Sequence, residues 1–397
     1  MDFITSKRVQ AFEKLIFSEL SEYKKNKQAE GIDMIDLSIG SPDLSPPPFI
    51  MEALIKNIQD PSQYGYTMTG SREFNQSVSY YYKKRFNVDL DADKEVLMLG
   101  GSQDGIVHLP MAFADAGDII LVPDPGYTAY EAGVKAAGAA FCPMPLLKEN
   151  HFMPDLSKIP EKIAQKAKMM ILNFPGNPIP ALATYDLFAE IVAFAKKHQI
   201  LVVHDFAYSE LVFDGRRPVS FLETEGAKDI GVEFNSLSKS FNMAGCRIGY
   251  VAGHPKIIND FASFKSNLDY GVFSPIQKAA VAALKDDSDF LSEQALIYER
   301  RRNILVNGLN EIGWHVDTPP ATMFIWAKIP EGWSSKQFAY ELIDRAGVVV
   351  TPGIAFGKNG EGYVRIAMVQ SEEKLRLAIE RIKESGIIFS KTIFEKH

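Results

Sequence analysis

Four short stretches carry residue types that could act together, each closing an apolar run of strand length. VLMLGGSQDG is a strand, a Gly-Gly turn and a helix start, so Gly101, Ser102 and Gln103 would turn backbone N–H groups toward an anion. ILNFPGNPIP places Asn173 and Asn177 among prolines, and ILVVHDFAYSEL places Asp205 and Tyr208 behind a run of Val and Leu. SLSKSFNMAGCRIGY sets Lys239 between two serines, with Arg247 eight residues on. The nearest neighbours of Lys239 are hydroxyls and small or apolar groups, which is the setting of an amine held in a site. Asp205 directly follows a buried strand, and a carboxylate there is costly unless a cation or hydrogen-bond donor meets it.

Taken singly, each stretch has an ordinary reading as a βα turn, a proline turn, a helix cap or a surface lysine. The first loop is not GxxxxGK[ST], so it is no nucleoside-triphosphate loop. Taken together, they put an anion cradle, an Asp, a Tyr, an Asn, a Lys and an Arg at one edge of one sheet. Pyridoxal 5'-phosphate needs that set: an amine for its aldehyde, a carboxylate to keep its ring nitrogen protonated, donors at its phenolic oxygen and a phosphate cup.

The elements that must position these groups follow from periodicity. Apolar runs at 95–99, 119–122, 169–173, 200–204, 232–236 and 249–253 predict strands, and 184–198 predicts a helix with Leu187, Ile191 and Phe194 on one face. Runs this continuous are buried on both faces, which implies an α/β fold with a mostly parallel sheet covered by helices. From about 286 the pattern changes to a long charged helix, isolated strands (MFIWAKI, GVVV, YVRIA) and a closing helix, SEEKLRLAIERIKE. The expected division is an N-terminal arm with part of a small domain (1–48), a large domain (49–285) and a small α+β domain (286–397). The Pro-rich SPPP at 45–48 reads as a bend between them.

Composition excludes other classes. A net charge of −7 and a pI near 5.6 argue against nucleic-acid or membrane-surface partners. Two cysteines, Cys142 and Cys246, lie far apart without CxxC spacing, so neither a disulfide framework nor a cysteine-rich metal site is expected. No apolar run reaches the length of a membrane span and MDFITSKRVQAFEKL has no signal-like apolar core, so a cytoplasmic protein is expected.

The motifs LSIGSPD, LGGSQDG, PDPGYTAY, NFPGNP, HDFAYSEL, SLSKSFNMAGCRIGY and YVRIA, in this order, resemble the class I/II pyridoxal-phosphate aminotransferases of fold type I over essentially the whole chain. The resemblance implies that Lys239 is the Schiff-base lysine and general acid/base and that Asp205 partners the pyridine nitrogen. It implies that Asn177 and Tyr208 bond the phenolic oxygen, that Tyr127 stacks on the ring, and that Ser102, Gln103, Ser236 and Arg247 hold the phosphate. Arg365 would grip the substrate α-carboxylate, helped by Asn177 and the backbone of Gly40. It further implies a homodimer acting by ping-pong on an amino acid and a 2-oxo acid, 2-oxoglutarate/glutamate being one pair. Tyr66, or Tyr64 beside it, would reach the neighbouring subunit's phosphate. Two departures are NPIP in place of the usual NPTG (177–180) and Cys246 where Trp is frequent.

Three rivals share parts of this pattern. A carbon–sulfur β-lyase can use the same scaffold, because fold does not fix reaction type. SLSK satisfies the S-x-x-K motif of serine hydrolases of the penicillin-binding protein and β-lactamase type, but its S-D-N and K-T-G partners are absent. A sensor module would need a fused DNA-binding segment, and the stretch ahead of the large domain is short and poor in basic residues. The segment 261–280 looks like LL-diaminopimelate and aspartate-type aminotransferases, whereas HDFAYSELVFDG looks equally like methionine-salvage enzymes. Lys265 and Asn267 either reach a distal substrate group or cap and solvate a helix.

Overall fold

The computed structural model describes residues 3–12, 16–387 and 389. Residues 1–2, 13–15, 388 and 390–397, which belong to the expected arm and the end of the expected small domain, lie outside the described residues.

Side-chain alternation builds the main sheet. In β2 (Val96–Leu99), Val96 and Met98 enter one apolar cluster while Leu97 and Leu99 enter another on the opposite face. The same parity runs through β3 (Ile119–Asp124), β5 (Ala167–Leu172) and β6 (Leu201–Asp205), whereas β7 (Gly231–Ser236) turns Val232 and Phe234 to the second face and Glu233 and Asn235 to the first. Helices Arg72–Phe86, Tyr185–His198 and Ser274–Leu284 cover the first face. Helices Ser102–Phe113, Thr128–Ala137 and Pro255–Lys265 cover the second. Apolar side chains on both faces of β2, β3, β5 and β6 are why those runs read as continuous.

With β4 (Ala140–Pro145) at one edge and β8 (Gly249–Gly253) inserted beside β2, the strand order is β2-β8-β7-β6-β5-β3-β4. β8 is antiparallel to both neighbours, while the other pairs are parallel. A seventh strand, β4, lies beyond the six that the apolar runs predict. It is a largely exposed edge strand containing Pro143 and Pro145, which only an edge tolerates. The parallel strands end together, so Gly100, Asn173, Asp205 and Ser236 gather at one rim.

A second layer completes that rim. The long helix spans Phe290–Glu311, and β9 (Phe324–Lys328), β11 (Thr351–Pro352) and β12 (Tyr363–Ala367) form an antiparallel sheet of order β11-β12-β9. The expected strand at GVVV divides into β10 (Val348–Val349) and β11. β1 (Ile35–Asp36) pairs with β10 in parallel, tying the N-terminal segment to this layer. Helices Ser335–Ala346 and Glu372–Glu384 pack beneath, with Phe338, Leu342, Leu375 and Ala378 fully buried. Pro48, at the end of the predicted bend, starts helix Pro48–Ile58. Among the described residues no helix is long and apolar enough to cross a membrane.

Candidate active site

The rim encloses a cavity of about 630 Å³ lined by residues from every predicted motif, including Gly40, Ser102, Gln103, Tyr127, Asn177, Asp205, Tyr208, Ser236, Lys239, Arg247 and Arg365. Lys239 sits on the single-turn helix Leu237–Ser240 directly after β7, with Ser236 as N-cap accepting from the Ser238 N–H. Its Nζ donates to the Gly40 carbonyl at 2.6 Å. Burial, reinforced by Arg365 and Arg247 and opposed by Asp205, pushes the amine down from 10.5 to about 8. From the long helix, Gln294 Nε2 donates to the carbonyls of Lys239 and Ser240 at 2.9 and 3.1 Å, fixing the turn that carries the amine. Ser236 is therefore engaged as a cap, and the Lys239 amine of the S-x-x-K stretch bonds the Gly40 carbonyl.

Asp205 ends β6, and strand parity turns its side chain toward helix Thr128–Ala137. Its carboxylate accepts from Tyr130 OH at 2.8 Å and from the Ala207 N–H at 3.2 Å. Burial raises its pKa, against the lowering effect of those two bonds. Neither donor is a cation, so the buried charge is incompletely met. Its neighbour His204 faces the other side and pairs with the equally buried Glu233 at 2.7 Å. Asn173 donates to the Asp205 carbonyl at 2.7 Å and accepts from the Asn177 N–H at 2.8 Å, which joins two of the predicted motifs. Tyr208 is buried edge-on to Phe324, 5.6 Å between centroids, and burial raises its pKa.

Ser102 and Gln103 open helix Ser102–Phe113 behind Gly101, whose φ of 92° lies in the left-handed region. A Cβ there would stand 2.5 Å from Arg247 Nη2, so the guanidinium lies against the bare turn. Arg247 donates to the Ala244 carbonyl at 3.1 Å and, among the described residues, pairs with no carboxylate. An unpaired guanidinium over a helix N-terminus is an anion site. Gln103 Oε1 accepts from Tyr127 OH at 3.0 Å, tying the cradle to the aromatic wall.

Arg365 comes from β12 and is 3% exposed. Its Nη1 donates to Asn177 Oδ1 at 2.8 Å and its Nη2 to the Ser38 carbonyl at 2.6 Å, while Nε has no partner among the described residues. The guanidinium lies over the rings of Phe324 and Phe356, 4.3 and 4.9 Å from their centroids. Burial pushes its pKa down to about 10. Here Asn177 engages the arginine.

Pyridoxal 5'-phosphate fits this donor set. Among the described residues a buried carboxylate, Asp205, forms no ion pair and a guanidinium at a helix start, Arg247, meets no carboxylate, and an amine of lowered pKa lines the same cavity. Tyr66 is elsewhere: it is 87% exposed, edge-on to Tyr270, and outside the cavity wall. Tyr64 is also exposed and spends its hydroxyl on the Ile58 carbonyl. Lys265 is buried among Asp104, His108 and Asp269, and Asn267 bonds the Ser263 carbonyl at its own helix end. Both therefore serve local structure. Tyr130 was not singled out from the sequence, although its place three residues after Tyr127 on one helix face was a usable signal. Ser38 acts through its carbonyl, and side-chain type carries no trace of that.

The family model described as aminotransferase class I and II matches residues 32–382. An LL-diaminopimelate aminotransferase of Halothermothrix orenii is 43% identical over 383 residues, covering 96% of this chain and 98% of that protein. One from Dehalococcoides mccartyi is 45% identical over 378 residues, covering 95% and 97%. Among solved structures, substrate-bound BacF from Bacillus subtilis is similar with a TM-score of 0.95 at 38% identity, covering 98% of this chain and 100% of that one.

Proposed function

The chain belongs to the class I and II aminotransferases, pyridoxal 5'-phosphate enzymes of fold type I, and on that premise we propose how its residues divide the work and which substrates it takes. The reading is transfer of an amino group between an L-amino acid and a 2-oxo acid, with 2-oxoglutarate/glutamate as one pair and LL-diaminopimelate as the first other donor to test. The names of the relatives motivate the second choice. The observation that carries the reading is the convergence of Lys239, Asp205 and Arg365 on one cavity.

When bound, pyridoxal 5'-phosphate supplies an electron sink that makes the substrate Cα–H acidic. Lys239 would hold it, Asp205 would keep its ring nitrogen protonated, and Tyr208 and Asn177 would bond its phenolic oxygen. Tyr127 would cover its ring, and Ser102, Gln103, Ser236 and Arg247 would cup its phosphate. Arg365 orients the substrate by a two-pronged grip on the α-carboxylate, together with Asn177 and the Gly40 backbone. The Lys239 amine takes the proton from Cα of the donor and returns one to Cα of the acceptor. One site serving both substrates in turn makes the kinetics ping-pong.

A homodimer is part of the proposal, with Tyr66 of one protomer reaching the phosphate site of the other. Exposed Tyr64, Tyr66, Met68, Leu268 and Tyr270 support it, since such apolar surface favours cover. So are the division at 48 and 285 and a cytoplasmic location, the latter supported by two unpaired cysteines. A donor–acceptor panel tests the substrates: turnover of LL-diaminopimelate with 2-oxoglutarate supports the reading, and no turnover with 2-oxoglutarate removes that pair. Pyruvate and ammonia released from cystathionine without an acceptor would mark a β-lyase instead.

A further inference from the structure

We propose that Lys24 and Asp36 form a clasp that sets the direction of the Ser38 carbonyl and so aims the Arg365 fork at the substrate α-carboxylate. The inference rests on the reading of Arg365 as the carboxylate grip. Both are positioning residues: Lys24 lines the cavity, but its amine is held by Asp36, which lies outside the lining.

The clasp is a continuous chain of short contacts. Lys24 Nζ lies 2.6 Å from Asp36 Oδ2. The other oxygen, Asp36 Oδ1, accepts from the Ser38 N–H at 2.9 Å and from its hydroxyl at 2.6 Å. The Ser38 carbonyl in turn accepts from Arg365 Nη2 at 2.6 Å and Thr351 Oγ1 at 3.1 Å. Just upstream the backbone is fully tied, Leu37 N–H to the Val349 carbonyl and Leu37 carbonyl to the Ala367 N–H. The ladder therefore stops at Leu37, and Asp36 takes over the orientation of the next peptide through a side-chain turn. Two residues further, the Gly40 carbonyl receives Lys239. One carboxylate thus steers the strip that meets both the guanidinium and the amine.

Lys24 completes the device. Ion pairs open to solvent contribute little energy by themselves, and these side chains keep 20% and 19% of their surface exposed. What the pair adds is direction: with Oδ2 anchored, Oδ1 stays on Ser38. Helix Ile16–Ala29, which carries Lys24, is docked independently by Lys27 and Tyr23 on Asp344, at 3.1 and 2.8 Å, and by Glu19 on Lys336 at 2.6 Å. Removing Lys24 leaves those contacts in place.

The test uses holoenzyme variants K24M, K24R, D36A and R365K, titrated calorimetrically with propionate (one carboxylate) and glutarate (two), beside KM and kcat for glutamate. K24M and D36A are expected to weaken propionate and glutarate by the same factor, about tenfold, the size of one lost charge-assisted contact. KM rises in parallel, kcat stays within about twofold, and K24R restores wild-type values. Weakening of glutarate alone overturns the clasp, because Lys24 then touches a distal carboxylate. A fall in kcat at unchanged KM, or K24R as poor as K24M, overturns it too. R365K separates the two readings: unchanged affinity there removes the carboxylate grip, whereas weakened affinity with K24M unaffected removes only the clasp. If D36A does not fold, the two Lys24 variants decide.

Discussion

The Lys239 amine and the Gly40 carbonyl, 199 positions apart in the chain, meet at 2.6 Å. One belongs to the turn after β7 and the other to the strip that follows β1, which pairs with β10 in the second layer. The contact spans the mouth between the layers and holds a largely dehydrated amine that has no other hydrogen-bond partner among the described residues. With cofactor bound the amine is needed elsewhere, so Gly40 is left to face the substrate. Both layers must therefore be seated before the site is complete.

Replacing Lys239 with Ala should remove the proton carrier while leaving the cradle built. Loss of a positioned acid–base group costs about 10²–10⁴-fold, and the single-turnover rate of Cα proton exchange should fall at least that far. Borohydride should also fail to fix the cofactor to the chain. Wild-type turnover by K239A would refute the assigned role.

The pH dependence follows from burial. With the amine moved from 10.5 to about 8, the cofactor-free protein holds half its Lys239 neutral near pH 8. Covalent uptake of pyridoxal 5'-phosphate, which needs the neutral amine, should climb with pH to a midpoint near 8 and level off above it. The sign for stability is fixed by the same shift. The unfolded chain keeps its proton up to 10.5 and the folded one only to about 8, so stability of the cofactor-free protein rises with pH across that window. The cost of burying the charged amine is present in full below it. An uptake midpoint near 10.5 would contradict this.

Asp205 depends on Tyr130. Asp205→Asn keeps the shape and loses the charge, and kcat should drop about 10²–10³-fold, as when a preorganised electrostatic group is removed. Tyr130→Phe deletes the 2.8 Å bond that lowers the carboxyl pKa against burial. The pKa then rises, so the acid limb of the kcat profile should move to higher pH, with a much smaller loss at its plateau. An acid limb that stays in place would separate Tyr130 from the charge at Asp205.

Much of this was legible in the sequence because strands buried on both faces read as unbroken apolar runs and the functional residues stand where those runs stop. Asp205 announced itself as a charge at the end of a core strand. β4 did not, since its exposed edge and two prolines give it no apolar pattern. The reversed direction of β8 was hidden because GYVAG reads alike either way. Ser38 and Gly40 act through carbonyl oxygens, and Lys24 and Asp36 act through those, so residue type gave no warning of them. The sequence left Lys265 open between a substrate contact and a helix-solvating role, because two of its polar neighbours, Asp104 and His108, come from a distant helix.

Gly101 supplies the last prediction. Its φ of 92° strains any side chain, and a Cβ would stand 2.5 Å from Arg247 Nη2 and 3.0 Å from Cζ. Arg247 is exposed and itself at φ 51°, so it can yield only by lifting away from the helix start. Gly101→Ala should therefore cost about 1–2 kcal/mol of stability for the left-handed conformation, seen as a lowered Tm of the cofactor-free protein. The larger effect should fall on phosphate affinity, because Arg247 and the N–H groups of Ser102 and Gln103 no longer converge. Pyridoxal 5'-phosphate should bind at least about tenfold more weakly, as expected for a lost charge-assisted contact, while pyridoxal without its phosphate should bind as before. Equal weakening of both would mean that the turn shapes the whole cavity rather than the phosphate cup.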